Sequence, residues 1–272
     1  MVLDNGFPAH AMLAATGFDA FATFAMIPVV AWALLAGMVA TWMAHRYVEA
    51  TDDDGHEFAL LADATCPHCD RVIALEHLVP GRLGICASCG RALSVTWIGG
   101  VLATLVGCLA MLATFGDSAA LIPYLWLVPV LVTAAIVDLR TMLIPKRVVW
   151  VGFGVGLALI AGVSLWFDLL GAIPPALIGA VAYSGFMFVL HIVNPNGLGF
   201  GDVRLAMLLG LYLGWIDIRL TLFGLLLGNV IYLTYALPQR LSRGKDADRY
   251  SPFGPGLAMG TLVAVVLYSV LV

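Results

Sequence analysis

Long apolar runs, each ended by a short polar or Gly/Pro-containing stretch, dominate the pattern of this chain. Eight of them reach or approach spanning length, at residues 20–44, 95–115, 119–139, 148–167, 170–193, 203–216, 218–237 and 254–272. A helix needs roughly 20 predominantly apolar residues to cross the hydrocarbon core of a bilayer. The sixth run is short by that measure, and only Asp168 and its neighbours part the fourth from the fifth. The pattern therefore predicts an all-α fold: a polytopic membrane helical bundle of about eight transmembrane helices, with seven or nine as the neighbouring counts. Three regions follow from it: an N-terminal segment and first helix (1–44), a polar loop (45–94) and a seven-helix membrane core (95–272). The first run has no basic flank before it and no small-residue cleavage site after it, so it reads as a retained helix and not a removed signal peptide.

Composition agrees. The chain of 272 residues is 62% hydrophobic and 11% charged, where soluble domains carry about a quarter charged residues. No basic patch interleaved with aromatics is present, which excludes nucleic acid as an expected partner and leaves the lipid bilayer. With eight spans, Arg46, Arg71, Arg82, Arg91, Arg140, Lys146, Arg147, Arg204, Arg240, Arg243, Lys245 and Arg249 fall on one side, and Arg219 alone on the other. By the positive-inside rule this puts the 45–94 loop in the cytoplasm and both termini outside.

That loop opens on an acidic run, TDDDGHE (51–57), and then carries CPHC (66–69) and CASC (86–89). Two CxxC pairs at this separation match a zinc ribbon, in which Cys66, Cys69, Cys86 and Cys89 close a tetrahedral thiolate site. Four cysteines leave no open position for water, so such a site is structural, and the metal supplies folding energy that so small a loop lacks. Two disulfides or four idle thiols are the alternatives, and a cytoplasmic location disfavours the first. His68 reads as a bystander inside the first knuckle, Cys108 as a packing residue, and the acidic run as a solvated stretch. His45, His56 and His77 have no convincing ligand spacing.

Two acids touch apolar runs on the cytoplasmic side. Asp138 closes the third in AAIVDLRTMLIPKR, and Asp202 opens the sixth in GLGFGDVRLA, behind Gly197, Gly199 and Gly201. A charged Asp deep in a bilayer costs about 2.5–3.5 kcal/mol on insertion scales, so such residues persist mainly where they work or pair. Asp117, Asp168 and Asp217 lie at the opposite interface, where the cost is small. If their helices are neighbours, Asp138 and Asp202 share one proton, and the pair can activate a water while protonating the carbonyl it attacks. The glycines would let the backbone leave helical geometry and make room for an extended substrate, and Pro145 suits the first turn of the next helix. The plainer alternatives are an N-cap role for Asp202 and surface pairing of Asp138 with Arg140 or Arg204.

These residues resemble the type IV prepilin peptidases, membrane aspartic proteases of the GxGD type. Gly199-Phe200-Gly201-Asp202 matches that signature, Asp138 through Ile144-Pro145 is similar to the first-aspartate motif, and Ser251-Pro252-Phe253-Gly254-Pro255-Gly256 resembles the element before the last span. The paired CxxC loop after the first helix resembles that of larger bacterial members. The resemblance implies an endopeptidase of the bacterial inner membrane that removes the leader of prepilins or pseudopilins at the cytoplasmic face. It implies Asp138 and Asp202 as the catalytic pair, with Gly199, Gly201, Pro252, Phe253 and Gly254 near the substrate. Arg204 stands where the family commonly has lysine.

Many family members with the cysteine loop also methylate the new amino terminus with S-adenosylmethionine. This chain departs from the family's pattern there. It has His45-Arg46-Tyr47 in place of an Arg-x-Pro stretch, and Trp97-Ile98-Gly99-Gly100-Val101 in place of Tyr-Pro-x-x-Glu, with no acid between Arg91 and Asp117. S-adenosylmethionine is expected only if methylation is retained. Two rivals remain. A presenilin-like protease would place Tyr before the first aspartate, where this chain has Val137. A zinc-ribbon transporter or assembly subunit would use the aspartates as a proton relay, but no internal repeat supports it.

Overall fold

The computed structural model describes residues 20–49, 65–66, 68–73, 85–91, 95–116, 118–193, 198–243 and 252–271; for helix residues 20–25, 49, 95 and 239–243 it describes the backbone alone. The acidic run 51–57, His56, His77, Arg82, Asp117, Gly197, Lys245, Arg249 and Ser251 lie outside these residues.

Eight α-helices are found among the described residues: α1 (Ala20–Glu49), α2 (Val95–Phe115), α3 (Leu121–Thr141), α4 (Lys146–Trp166), α5 (Ile173–Val193), α6 (Phe200–Ile216), α7 (Ile218–Arg243) and α8 (Gly254–Leu271). A single 3-10 turn, Leu170–Ala172, leads into α5. Seven of the eight are long and apolar enough to cross a membrane, and α6 is the exception. Hydrocarbon offers no hydrogen-bond partners, so helices that satisfy their own backbone are the solution open to such a chain. The protein is a multi-pass membrane protein.

The short α6 is the middle of the bundle. From Leu208 through Ile216 every residue is buried, and α4, α5, α7 and α8 all pack on it. A helix apolar on all sides is stable only when enclosed. Its closest partner is α5, where Gly210 and Gly179 face each other with no room for a Cβ on either. Small residues at such contacts let helix backbones approach within a membrane, where van der Waals packing drives association.

Two expectations about helix ends need correction. Helix α6 begins at Phe200 and not at 203, so Asp202 lies in its first turn and is not its N-cap. Gly199 occupies the N-cap in an extended conformation (φ −72°, ψ 149°), outside helical geometry, whereas Gly201 is already helical. Pro145 sits one residue before α4, as its N-cap, and not inside the first turn. It lacks an N–H, which costs nothing at a helix start. Helix α3 ends on Met142 in the left-handed region (φ 57°), whose N–H is bonded to the carbonyl of Asp138.

Candidate active site and cysteine cluster

Asp138 lies one turn from the end of α3 and is almost fully buried, with 3% of its surface exposed. Its Oδ2 accepts a hydrogen bond of 2.8 Å from the backbone N–H of Gly254, the first residue of α8. That approach is possible because position 254 has no side chain: a Cβ there would stand 2.9 Å from the same oxygen. The surface pairing considered for Asp138 is not its arrangement, since the carboxylate points into the bundle. Arg140, on the outer side, donates to Thr96 at 2.8 Å.

Asp202 is held from its own helix end. Its Oδ2 accepts the N–H of Gly199 at 3.1 Å, while its N–H donates to the Gly199 carbonyl, also at 3.1 Å. A carboxylate in the first turn is favoured by the helix dipole. The other oxygen, Oδ1, is buried and has no hydrogen-bond partner. Leaving such an atom unsatisfied costs about 1–3 kcal/mol, and it marks where a polar group from outside the fold fits.

Both aspartates line one cavity of about 350 Å³, together with Tyr47, Lys146, Gly199, Gly201 and Arg204. They are within electrostatic reach of each other. The α3–α4 connection and the start of α6 are locked together at Gly201, where a Cβ would be 2.9 Å from the Cβ of Ile144. The Ile-Pro segment after Asp138 and the glycines before Asp202 thus form two sides of a single close contact. Pro252, Phe253 and Gly254 do not line the cavity; they meet it through the Gly254–Asp138 bond. Helix α7 pins this segment: Tyr235 donates to the Pro252 carbonyl at 2.6 Å, and Tyr232 packs on Phe253 with ring centres 4.1 Å apart.

Sequence reasoning missed Tyr235, which is also within electrostatic reach of both aspartates. No spacing in the chain ties it to them. It likewise gave Lys146 no role, although a lysine two residues past Ile144 was the available signal. Arg204, placed only as a substitute for lysine, lies with its guanidinium 4.7 Å from the centre of the Phe200 ring.

The cysteines form two matching knuckles. In each, the N–H of the first cysteine bonds five residues ahead (Cys66 to Arg71, Cys86 to Arg91). In each, its carbonyl accepts from the fourth (Asp70 and Gly90), which has positive φ. The four sulfurs lie within 4.8 Å of one another, and Cys66–Cys89 and Cys69–Cys86 are both separated by 3.8 Å. That is far beyond a disulfide bond and equals the edge of a tetrahedron with metal–sulfur bonds of about 2.3 Å. The cluster could hold one metal ion. A backbone hydrogen bond from Cys89 is the main cause lowering the Cys86 thiol to about 6, and the thiolate is the form that binds metal. Trp42 anchors the ribbon to α1 by donating to the Ile73 carbonyl at 2.8 Å, and Trp97 of α2 packs against Cys66, Ile73 and Cys86. Cys108 is a packing residue in the membrane core.

Residues 125–237, which contain both aspartates, match the type IV leader peptidase family. A prepilin leader peptidase/N-methyltransferase of Bacillus subtilis (strain 168) is 28% identical over 209 residues, covering 74% of this chain and 80% of that protein. One from Aeromonas salmonicida (strain A449) is 28% identical over 232 residues, with 79% and 75% covered. One from Pseudomonas putida is 27% identical over 234 residues, with 82% and 78% covered. The chain is thus similar to the type IV leader peptidases over this segment, and to named prepilin leader peptidases over about three quarters of its length. No solved structure matches it significantly.

Within this chain the segment that departs from the family pattern is well packed. The His45 ring stacks on Trp97 with centres 4.4 Å apart, donates through Nδ1 to the Thr41 carbonyl and lies 3.2 Å from Thr96 Oγ1 through Nε2. Gly100 stands against Thr41 and Ile136 with no room for a side chain. The position where a glutamate would be expected is Val101, an apolar residue that is buried. Val101 offers no carboxylate to an S-adenosylmethionine site of that kind.

Proposed function

We propose that this protein is an aspartic endopeptidase that removes the leader of a prepilin or pseudopilin at the cytoplasmic face of the bacterial inner membrane. Prepilins are the named substrates of the relatives, and the basic-residue bias supports a cytoplasmic 45–94 loop with both termini outside. The observation that carries the mechanism is the buried, unpartnered Oδ1 of Asp202 in a cavity shared with Asp138.

Asp138 and Asp202 act together with one proton between them. The ionised carboxylate takes a proton from water as the water oxygen attacks the scissile carbonyl, and the protonated one donates to the carbonyl oxygen. Collapse of the tetrahedral intermediate breaks the C–N bond; the proton held by the base goes to the departing amine, and a hydroxyl proton of the intermediate returns to the other carboxylate, restoring the singly protonated pair. Gly254 and Gly199 fix one oxygen of each carboxylate through backbone N–H groups, leaving the other oxygens for the reaction. Gly199 and Gly201 give an extended chain close access, while Pro252 and Phe253 hold Gly254 in place. Lys146 and Arg204 place positive charge at the cavity wall.

The test is cleavage of a purified prepilin by the protein reconstituted in liposomes. Product with a new amino terminus at the leader junction is the expected result, with activity falling at both pH extremes because the pair must hold a single proton. Absence of cleavage under all conditions overturns the reading.

We assign the four cysteines to a structural zinc ion, on the tetrahedral sulfur spacing. Purified protein should carry about one zinc per chain. The Cys66→Ser variant should lose most of it, measured by elemental analysis, and show heightened proteolysis confined to the loop. Brief chelation should leave cleavage unchanged; rapid loss of activity would count against a purely structural metal. No methyl-transfer step is assigned to this chain, given the apolar Val101 in the glutamate position and the His45–Trp97 stack.

A further inference from the structure

A second cavity adjoins the catalytic one. It has a volume of about 420 Å³ and is walled by α1 and α4 with α3 as its floor. Both walls pack on α3 but share no extended interface with each other, so the space between them opens sideways toward the lipid. From α1 the stripe Trp32, Leu35, Ala36, Val39, Met43 and Tyr47 faces it. At 1.5 Å per residue this stripe runs about 22 Å along the helix axis. The surface is apolar throughout its membrane depth, and Leu35 and Val39 are about half exposed. The hydroxyl of Thr133 on the floor is already bonded to the carbonyls of Pro129 and Ala40. Arg147 stands at the end where α4 begins.

The position of this groove is what gives it meaning. Tyr47, buried at its cytoplasmic end, lines both the groove and the aspartate cavity. A body lying along α1 in the groove therefore delivers its cytoplasmic end to Asp138 and Asp202. Lipid tails fill apolar crevices without length or direction. An elongated apolar groove that ends at the catalytic cavity suits an α-helix whose next residues are unwound.

We infer that the α1–α3–α4 groove docks the apolar transmembrane helix of the substrate, with Tyr47 setting the point where that helix ends and the scissile segment begins. This rests on the peptidase reading above. The bilayer-embedded part of the substrate then contributes binding energy that short leader sequences cannot supply, and cleavage occurs at a fixed distance from the end of the apolar helix.

Two measurements test it. In an Asp202→Asn background, which leaves the substrate uncut, Val39 is replaced by a photoreactive phenylalanine analogue, and Val181 on the lipid face of α5 is replaced likewise as a control. Irradiation with prepilin in liposomes should give an adduct to the prepilin's apolar segment from position 39 and none from position 181. Adducts to phospholipid alone at position 39, or equal adducts at both positions, overturn the inference. The second measurement compares cleavage of full-length prepilin with that of a leader peptide lacking the apolar helix. Ala36→Trp should lower the ratio of their kcat/KM values at least tenfold, and Val181→Trp should not change it. An unchanged ratio in Ala36→Trp, with the unmodified protein active, defeats the groove alone; if the unmodified protein cuts neither substrate, the peptidase reading itself has failed.

Discussion

Replacing either Asp138 or Asp202 with asparagine should lower leader cleavage by at least about 1000-fold, or about 4 kcal/mol of transition-state stabilisation. The protein should remain folded. Asparagine keeps an oxygen that can accept the N–H of Gly254 or Gly199, and it is nearly the same size as aspartate. What it cannot do is hold and release a proton. Because the two acids act as a unit, the double variant should be no slower than the slower single one. The removal of a buried charge should leave the thermal midpoint unchanged or raise it, measured by unfolding in detergent. Either variant retaining more than about a tenth of the wild-type rate would remove that residue from the acid–base pair.

The parts legible in the sequence were those in which a residue contradicts its surroundings. Asp138 and Asp202 stood out because a carboxylate at the edge of an apolar run carries a cost that packing does not repay. The cysteine pairs stood out because their spacing has few other uses. Helix count was legible because spanning length is set by the bilayer and not by tertiary contacts. Even the shortness of the sixth run had meaning: it became α6, enclosed by its neighbours and carrying Asp202 in its first turn.

What could not be read were contacts between elements. The bond from Gly254 to Asp138 joins residues 116 positions apart, and nothing local at either position announces it. Gly201 was legible as a glycine but not for its reason, which is the Ile144 side chain that meets it. The expectation of a loosened backbone holds at Gly199, which is extended, and not at Gly201, which is helical and serves close approach to Ile144. Tyr235 belonged to the same class, an ordinary aromatic until the fold set its hydroxyl on Pro252.

The Gly254 contact leads to the second large effect. Gly254→Ala should cut kcat by about 10- to 100-fold, with KM for prepilin nearly unchanged, because displacing a reacting group by about 1 Å can cost about 100-fold. The added methyl would lie 2.9 Å from Asp138 Oδ2 and 3.3 Å from its Cγ, so either the carboxylate turns away or the start of α8 retreats. Both outcomes lengthen the bond that aims Asp138. Gly254→Pro should be more damaging, since it adds the same bulk and also removes the N–H donor. The proper comparison is Gly162→Ala in α4, where an added Cβ meets open space. That change should leave cleavage intact and stabilise the helix by roughly 0.5–1 kcal/mol. If Gly254→Ala were as silent in kcat as Gly162→Ala, the last helix would not be setting the position of Asp138, and the backbone bond across 116 residues would be incidental to the chemistry.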